Sequence, residues 1–133
     1  GYRIEPQGKV LSYVSDVDLY GPILLGDGMK NGSPEQQRAW HRHLQKGALD
    51  LAHRADLMVC DTFFLPEEYK PDWGHSRPGD ALRLGEEAQI ERLALFHHEP
   101  HRSDDEIDTI QARYRKEAPF DLFASIEGLE LAL

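Results

Sequence analysis

The sequence has one cysteine in 133 residues and no apolar run approaching the ~20 residues that a membrane-spanning helix requires. Cys60 alone cannot close an internal disulfide, and within the near-continuous apolar run Ala55–Cys60 it reads as a small packed hydrophobe. A reducing, cytoplasmic setting without a membrane partner is therefore expected. Positive charge is also scarce: 15 Lys plus Arg stand against 24 Asp plus Glu, a formal charge of −9. Such a surface repels polyanions at long range, so nucleic acid is not expected as a partner. There is no initiator Met and no basic-then-apolar leader, and Gly1–Glu5 already reads as a strand. The chain therefore reads as a piece of a longer polypeptide.

What remains is the composition of one globular domain, 40% hydrophobic and 29% charged. Tyr2–Glu5 and Lys9–Ser15 read as strands joined by Pro6-Gln7-Gly8, where Pro and Gly favour a tight turn. An acidic, Gly-rich loop follows, from Asp16-Val17-Asp18 to Gly32. Ser33-Pro34-Glu35-Gln36 then has the form of a helix start, with Ser33 as cap, and the spacing of Leu44, Ala48, Leu49 and Ala52 carries the helix to about His53. Ala55–Cys60 reads as a buried strand closed by Asp61. Gly74-His75-Ser76-Arg77-Pro78 introduces another helix, through about Glu87, followed by a strand at Arg92–Phe96. Ser103-Asp104-Asp105-Glu106 opens a last helix, its acids suited to the positive end of the helix dipole. A final strand is expected at Leu129–Leu133. The order β-β-α-β-α-β-α-β predicts an α/β fold.

Ionisable residues close three of the expected strands: Asp16 and Asp18 after the second, Asp61 after the third, His97 and His98 after the fourth. Sites in layered α/β proteins collect at such strand ends. Carboxylate with imidazole is the ligand set of zinc, manganese or iron at hydrolytic centres, where the metal lowers the pKa of water and polarises the substrate. Asp16 reads equally as a strand-terminating turn residue. Strand alternation turns one of His97 and His98 inward, and His97 is the one assigned to the site. His75, between Gly74 and Ser76, suits a general acid or oxyanion binder, with Asp61 as the carboxylate that orients it. His41, His43, His53 and His101 read as solvated, and Trp40 and Trp73 as packing or cleft-bordering residues.

The segments Ala55–Asp61, Pro66-Glu67-Glu68-Tyr69, Trp73-Gly74-His75-Ser76 and Arg92–Pro100, with the opening Gly1–Glu5, Tyr13–Asp16 and the closing Glu127–Leu131, together form a recognisable pattern. It resembles the C-terminal half of metallo-β-lactamase-fold metal-dependent hydrolases, and is most similar to the branch of tRNA 3′-end-processing nucleases and cyclic phosphodiesterases. The resemblance implies half of an αββα sandwich, a β-sheet with helices packed on one face. It also implies a complete protein that hydrolyses a phosphodiester or related ester, or a small-molecule substrate, with two divalent ions (Zn or Mn). Asp16 would bridge the ions, His97 would hold one of them, and His75 with Asp61 would protonate the leaving group or steady the phosphate. The family's H-x-H-x-D-H motif is absent, and His41-Arg42-His43 lies mid-helix without the following Asp-His pair. A missing N-terminal half is therefore expected to supply the other ligands, with this chain inactive alone. A half-fold leaves one apolar sheet face uncovered, so a homodimer or docking of that missing half is expected.

The alternative is a non-catalytic α/β signalling or assembly module. Asp16, Asp18 and Asp61 superficially match a phospho-acceptor receiver, but such domains need a Ser or Thr and a Lys at later strand ends. Phe96-His97-His98 provides neither.

Overall fold

In the computed structural model, residues 1–21 and 32–133 are described. The expected Gly-rich loop thus lies partly outside the described residues. β1 (Tyr2–Ile4) and β2 (Leu11–Val14) pair antiparallel, Tyr2 opposite Tyr13 and Ile4 opposite Leu11. The connection is a 3₁₀ turn at Pro6–Gly8 in which Gln7 and Gly8 both take positive φ. β3 (Leu57–Asp61), β4 (Arg92–Phe96) and β5 (Asp121–Ala124) then add in parallel, in the order β1-β2-β3-β4-β5.

Each parallel crossover carries one helix: α1 (Pro34–Ala52), α2 (Pro78–Ala88) and α3 (Asp104–Arg115). Successive right-handed crossovers that always step in the same direction place all three helices on one sheet face. The order also separates this sheet from the doubly wound receiver arrangement, whose strands run 2-1-3-4-5 with helices on both faces.

The helix starts are those the sequence marks. Ser33 accepts from Gln36 N and Ser103 from Glu106 N, each in a reciprocal capping box. Strand alternation divides the sheet residues. Met58, Leu93 and Leu122 share one register row, and Val14, Cys60, Leu95 and Ala124 the next. All seven are buried, together with Ala48, Ala52, Ala81 and Leu84 from the helices. Each fully buried Leu contributes ~1.5–3 kcal/mol of transfer free energy. The opposite face carries Tyr13, Val59, Ala94 and Phe123, with Tyr2, Ile4 and Phe96 exposed toward its edge.

One expected element is misplaced. The last strand is Asp121–Ala124, and Leu129–Leu133 is irregular. Parallel pairing decides it: Leu122 and Ala124 bury beside Leu93 and Leu95, whereas Leu129, Leu131 and Leu133 stay exposed without a neighbouring strand. The other shifts are at boundaries. β2 is shorter than expected, and β3 starts at Leu57 and includes Asp61.

Candidate metal centre

Three adjacent parallel strands deliver three of the site's side chains at their C-terminal ends. Asp61 is the last residue of β3, His97 follows β4 directly, and Asp16 lies two residues beyond β2. Asp16 and His97 both have left-handed backbone, φ 51° and 60°. Asp tolerates this region, but for His it costs ~1–2 kcal/mol, and strain of this kind concentrates at functional sites. The turn it produces swings both side chains back over Asp61. His75 enters from the loop before α2. That loop is tied down by Ser76 Oγ donating to the Val17 carbonyl and by Phe64 N donating to Ser76 O at 3.3 Å.

Asp61 is the fixed point. Its carboxylate is fully buried, and among the described residues it accepts three hydrogen bonds: from Asp16 N at 3.1 Å, Phe63 N at 3.1 Å and His75 Nδ1 at 2.7 Å. A buried carboxylate persists when donors replace water in this way. Facing a carboxylate, Nδ1 of His75 carries the proton, which leaves Nε2 turned away from Asp61. Phe63 stacks on the His75 ring (5.0 Å between centroids, 21°) and meets His97 edge-on (5.2 Å, 73°). His97 Nδ1 lies 3.9 Å from Asp16 Oδ1 and 3.8 Å from Asp61 Oδ2.

Asp16, Asp61, His75 and His97 thus form one cluster, with one donor atom from each lying within 4.8 Å of the others. The expected residues are all brought together. The donor set of carboxylate oxygens and imidazole nitrogens fits a divalent ion of the zinc or manganese type. Asp16 is exposed and His97 half-buried, so both present free atoms, while Asp61 is already committed to backbone and His75.

Other candidates go elsewhere. Asp18 leaves the centre, accepting from Gly21 N at 2.8 Å and from the Tyr69 hydroxyl. Burial first, then the Asp18 bond, pushes that hydroxyl's pKa well up. His98 turns away toward Ser125, and burial lowers its pKa. His43, His53 and His101 are exposed as expected, whereas His41 is half-buried. Of the aromatic surround, only Trp73 was expected, as a packing or cleft-bordering residue. Phe63 supports both imidazoles, and Arg102 holds Phe63 in place by donating to its carbonyl (3.3 Å) and pairing with Glu68. The Phe63-Phe64 pair two residues after Asp61 is the sequence signal for the rest of it.

No protein-family model matches the chain. It is 28% identical over 104 residues to a Ribonuclease Z of Sulfurisphaera tokodaii, covering 78% of this chain and 32% of that protein. It is 43% identical over 42 residues to a Ribonuclease Z of Sulfolobus acidocaldarius, covering 32% of this chain and 14% of that protein. The chain thus spans a third or less of these relatives. Among solved structures, the metallo-beta-lactamase fold protein YhfI from Bacillus subtilis superposes over 96% of this chain and 41% of its own, with a TM-score of 0.65 and 16% identity. One-sided helix packing on a mostly parallel sheet, a cluster of acids and imidazoles at its strand ends, and this superposition agree: the chain has the metallo-β-lactamase fold.

Proposed function

We propose that this chain is the C-terminal half of a metal-dependent hydrolase acting on a phosphodiester or related ester through a dinuclear centre in the complete protein. The convergence of Asp16, Asp61, His75 and His97 within 4.8 Å on this fold carries the reading. Asp16 would bridge the two ions and His97 would hold one. When bound, such ions lower the pKa of water and polarise the ester.

The chain's own residues do the rest. Asp61 holds the Nδ1–H of His75 through the 2.7 Å contact, so that Nε2 is the atom that would take a proton from water and then pass it to the departing oxygen. Phe63, stacked on His75, keeps water from one face of that ring. The sheet face on which Tyr2, Ile4 and Phe96 are exposed is where the N-terminal half, or a second copy in its absence, would pack. The 41% coverage of the superposed structure supports the first.

The relatives' name favours RNA as the phosphodiester, against the expectation from a charge of −9. Fluorescence anisotropy with a labelled RNA at varied salt separates these: a steep salt slope supports RNA.

The principal test titrates the chain with Mn²⁺ or Zn²⁺ and assays bis-p-nitrophenyl phosphate. Weak metal binding without turnover is expected. Turnover by the chain alone would overturn its reading as an incomplete centre, and absence of metal binding would overturn the metal reading.

A further inference from the structure

Next to the metal cluster lies a cavity of about 600 Å³ that the reaction outlined above does not use. Its walls are the rings of Phe63, Phe64, Tyr69 and Trp73, brought together by 3₁₀ turns at Pro66–Glu68 and Pro71–Trp73. The rings meet mainly at steep angles: Phe63 with Phe64 at 75°, Phe64 with Tyr69 at 83° and Phe64 with Trp73 at 68°. A ring face carries negative potential; one face of Phe63 is taken by His75 and one of Tyr69 by the Arg77 guanidinium 4.3 Å from its centroid, which leaves Trp73 as the most open of the four rings. Three carboxylates complete the lining, Glu67, Glu68 and Glu99, with Lys70 as its one basic residue. Glu68 is engaged by Arg102 and Glu99 accepts from His101 N at 2.8 Å, so Glu67 and Glu99 line the cavity without being held by Arg102.

A second observation indicates what such walls attract. The Lys70 ammonium sits over the Trp73 ring, 4.6 Å from its centroid, although Trp73 is 56% exposed and Lys70 has open solvent available. The chain's own cation already rests where a ligand cation would be held.

We propose that this cavity is a subsite for an organic cation, a quaternary or substituted ammonium group carried by the substrate, with Lys70 as a displaceable occupant. The proposal rests on the hydrolase reading for its consequence, and on its related-ester form rather than its RNA form. Phe63 is both a wall of the cavity and the ring packed on His75 and His97, so an ammonium seated there is attached to the ester presented to the cluster. A quaternary ammonium needs no hydrogen-bond partner, only ring faces and nearby negative charge, and both are present. A nucleotide could stack on Trp73, but its phosphates would face the carboxylates of Glu67 and Glu99.

The test uses the full chain carrying Trp40→Phe, which leaves Trp73 as its only tryptophan. Choline chloride is titrated against sodium chloride of equal ionic strength, and adenosine monophosphate in a separate series, with Trp73 fluorescence as the readout. A saturable response to choline is expected. Lys70→Ala should tighten it by about threefold by removing the internal competitor, and Glu67→Gln with Glu99→Gln should weaken it by about threefold. A choline response indistinguishable from salt, an unchanged or weakened response in Lys70→Ala, or adenosine monophosphate saturating first would overturn the proposal. Mn²⁺ binding is measured on the same samples. Intact Mn²⁺ binding without a choline response sinks the cation subsite alone, whereas lost Mn²⁺ binding sinks the hydrolase reading beneath it.

Discussion

Replacing Asp61 by asparagine keeps the side chain's volume while removing its charge and turning one acceptor into a donor. In the native site Oδ2 accepts from His75 Nδ1 (2.7 Å) and Asp16 N (3.1 Å), and Oδ1 accepts from Phe63 N (3.1 Å). An amide has one oxygen, so its best orientation keeps the first two bonds and turns its NH₂ toward the Phe63 N–H. A buried donor left without a partner costs ~1–3 kcal/mol, and each retained bond loses ~1 kcal/mol of charge assistance. Relief of the desolvation of a fully buried charge offsets part of this, leaving a loss of about 2–4 kcal/mol. For a domain stable by ~5–15 kcal/mol that is a large fraction, and at about 4 °C per kcal/mol it lowers the Tm by roughly 8–16 °C. Thermal and urea unfolding of the chain in chelator, with no metal to confound the result, measures it. A loss under ~0.5 kcal/mol would refute the assignment of Asp61 as the acceptor that holds the site's backbone together.

Three further outcomes follow from the same structure. His97→Asn replaces a residue strained at φ 60° by one that tolerates the left-handed region; relief of ~1 kcal/mol should roughly balance the lost ring contacts, while metal affinity falls by about tenfold or more. Titration calorimetry and thermal melts check both halves, and destabilisation beyond ~2 kcal/mol would contradict the strain argument. Gln89→Gly at the exposed left-handed cap of α2 (φ 57°) should stabilise the chain by about 1 kcal/mol in urea unfolding, and no gain would count against it. The Glu68 carboxyl is held below its usual range, chiefly by the Arg102 hydrogen bond. A depressed carboxyl contributes stability that is present above its unfolded pKa, ~4.3, and is lost as pH falls through the folded value. Stability measured downward from pH 5 should therefore fall less in Glu68→Gln than in the native chain; identical curves would remove Glu68 from the account.

Local signals in the sequence sufficed where local chemistry decides structure. Ser33-Pro34-Glu35-Gln36 and Ser103–Glu106 mark helix starts because their side chains satisfy backbone donors within one turn, and the apolar Leu93-Ala94-Leu95 marks a buried strand. Asp16, Asp61 and His97 were legible because acids and imidazoles at the ends of parallel neighbours meet, whereas His75, in the loop before α2, rested on its setting between Gly74 and Ser76 and on the family resemblance. β5 was not, since Asp121–Ala124 shows no stronger pattern than Leu129–Leu133, and only pairing with β4 selects it. The left-handed turn at His97 leaves no mark in a residue that is not glycine. The aromatic cavity was hidden for a related reason: Phe63 and Trp73 stand ten positions apart, and it takes two short 3₁₀ turns to bring them within 6.3 Å.

The central claim is that Asp16 and His97 hold a divalent ion beside His75. Paramagnetic Mn²⁺ titrated into the chain, with the imidazole resonances of all seven histidines followed by NMR, tests it directly. The account expects the His97 and His75 signals to broaden at the lowest metal concentrations, with Asp16→Ala abolishing the effect. Broadening first at His41, His43, His53 or His101, or equal broadening of all seven, would contradict it.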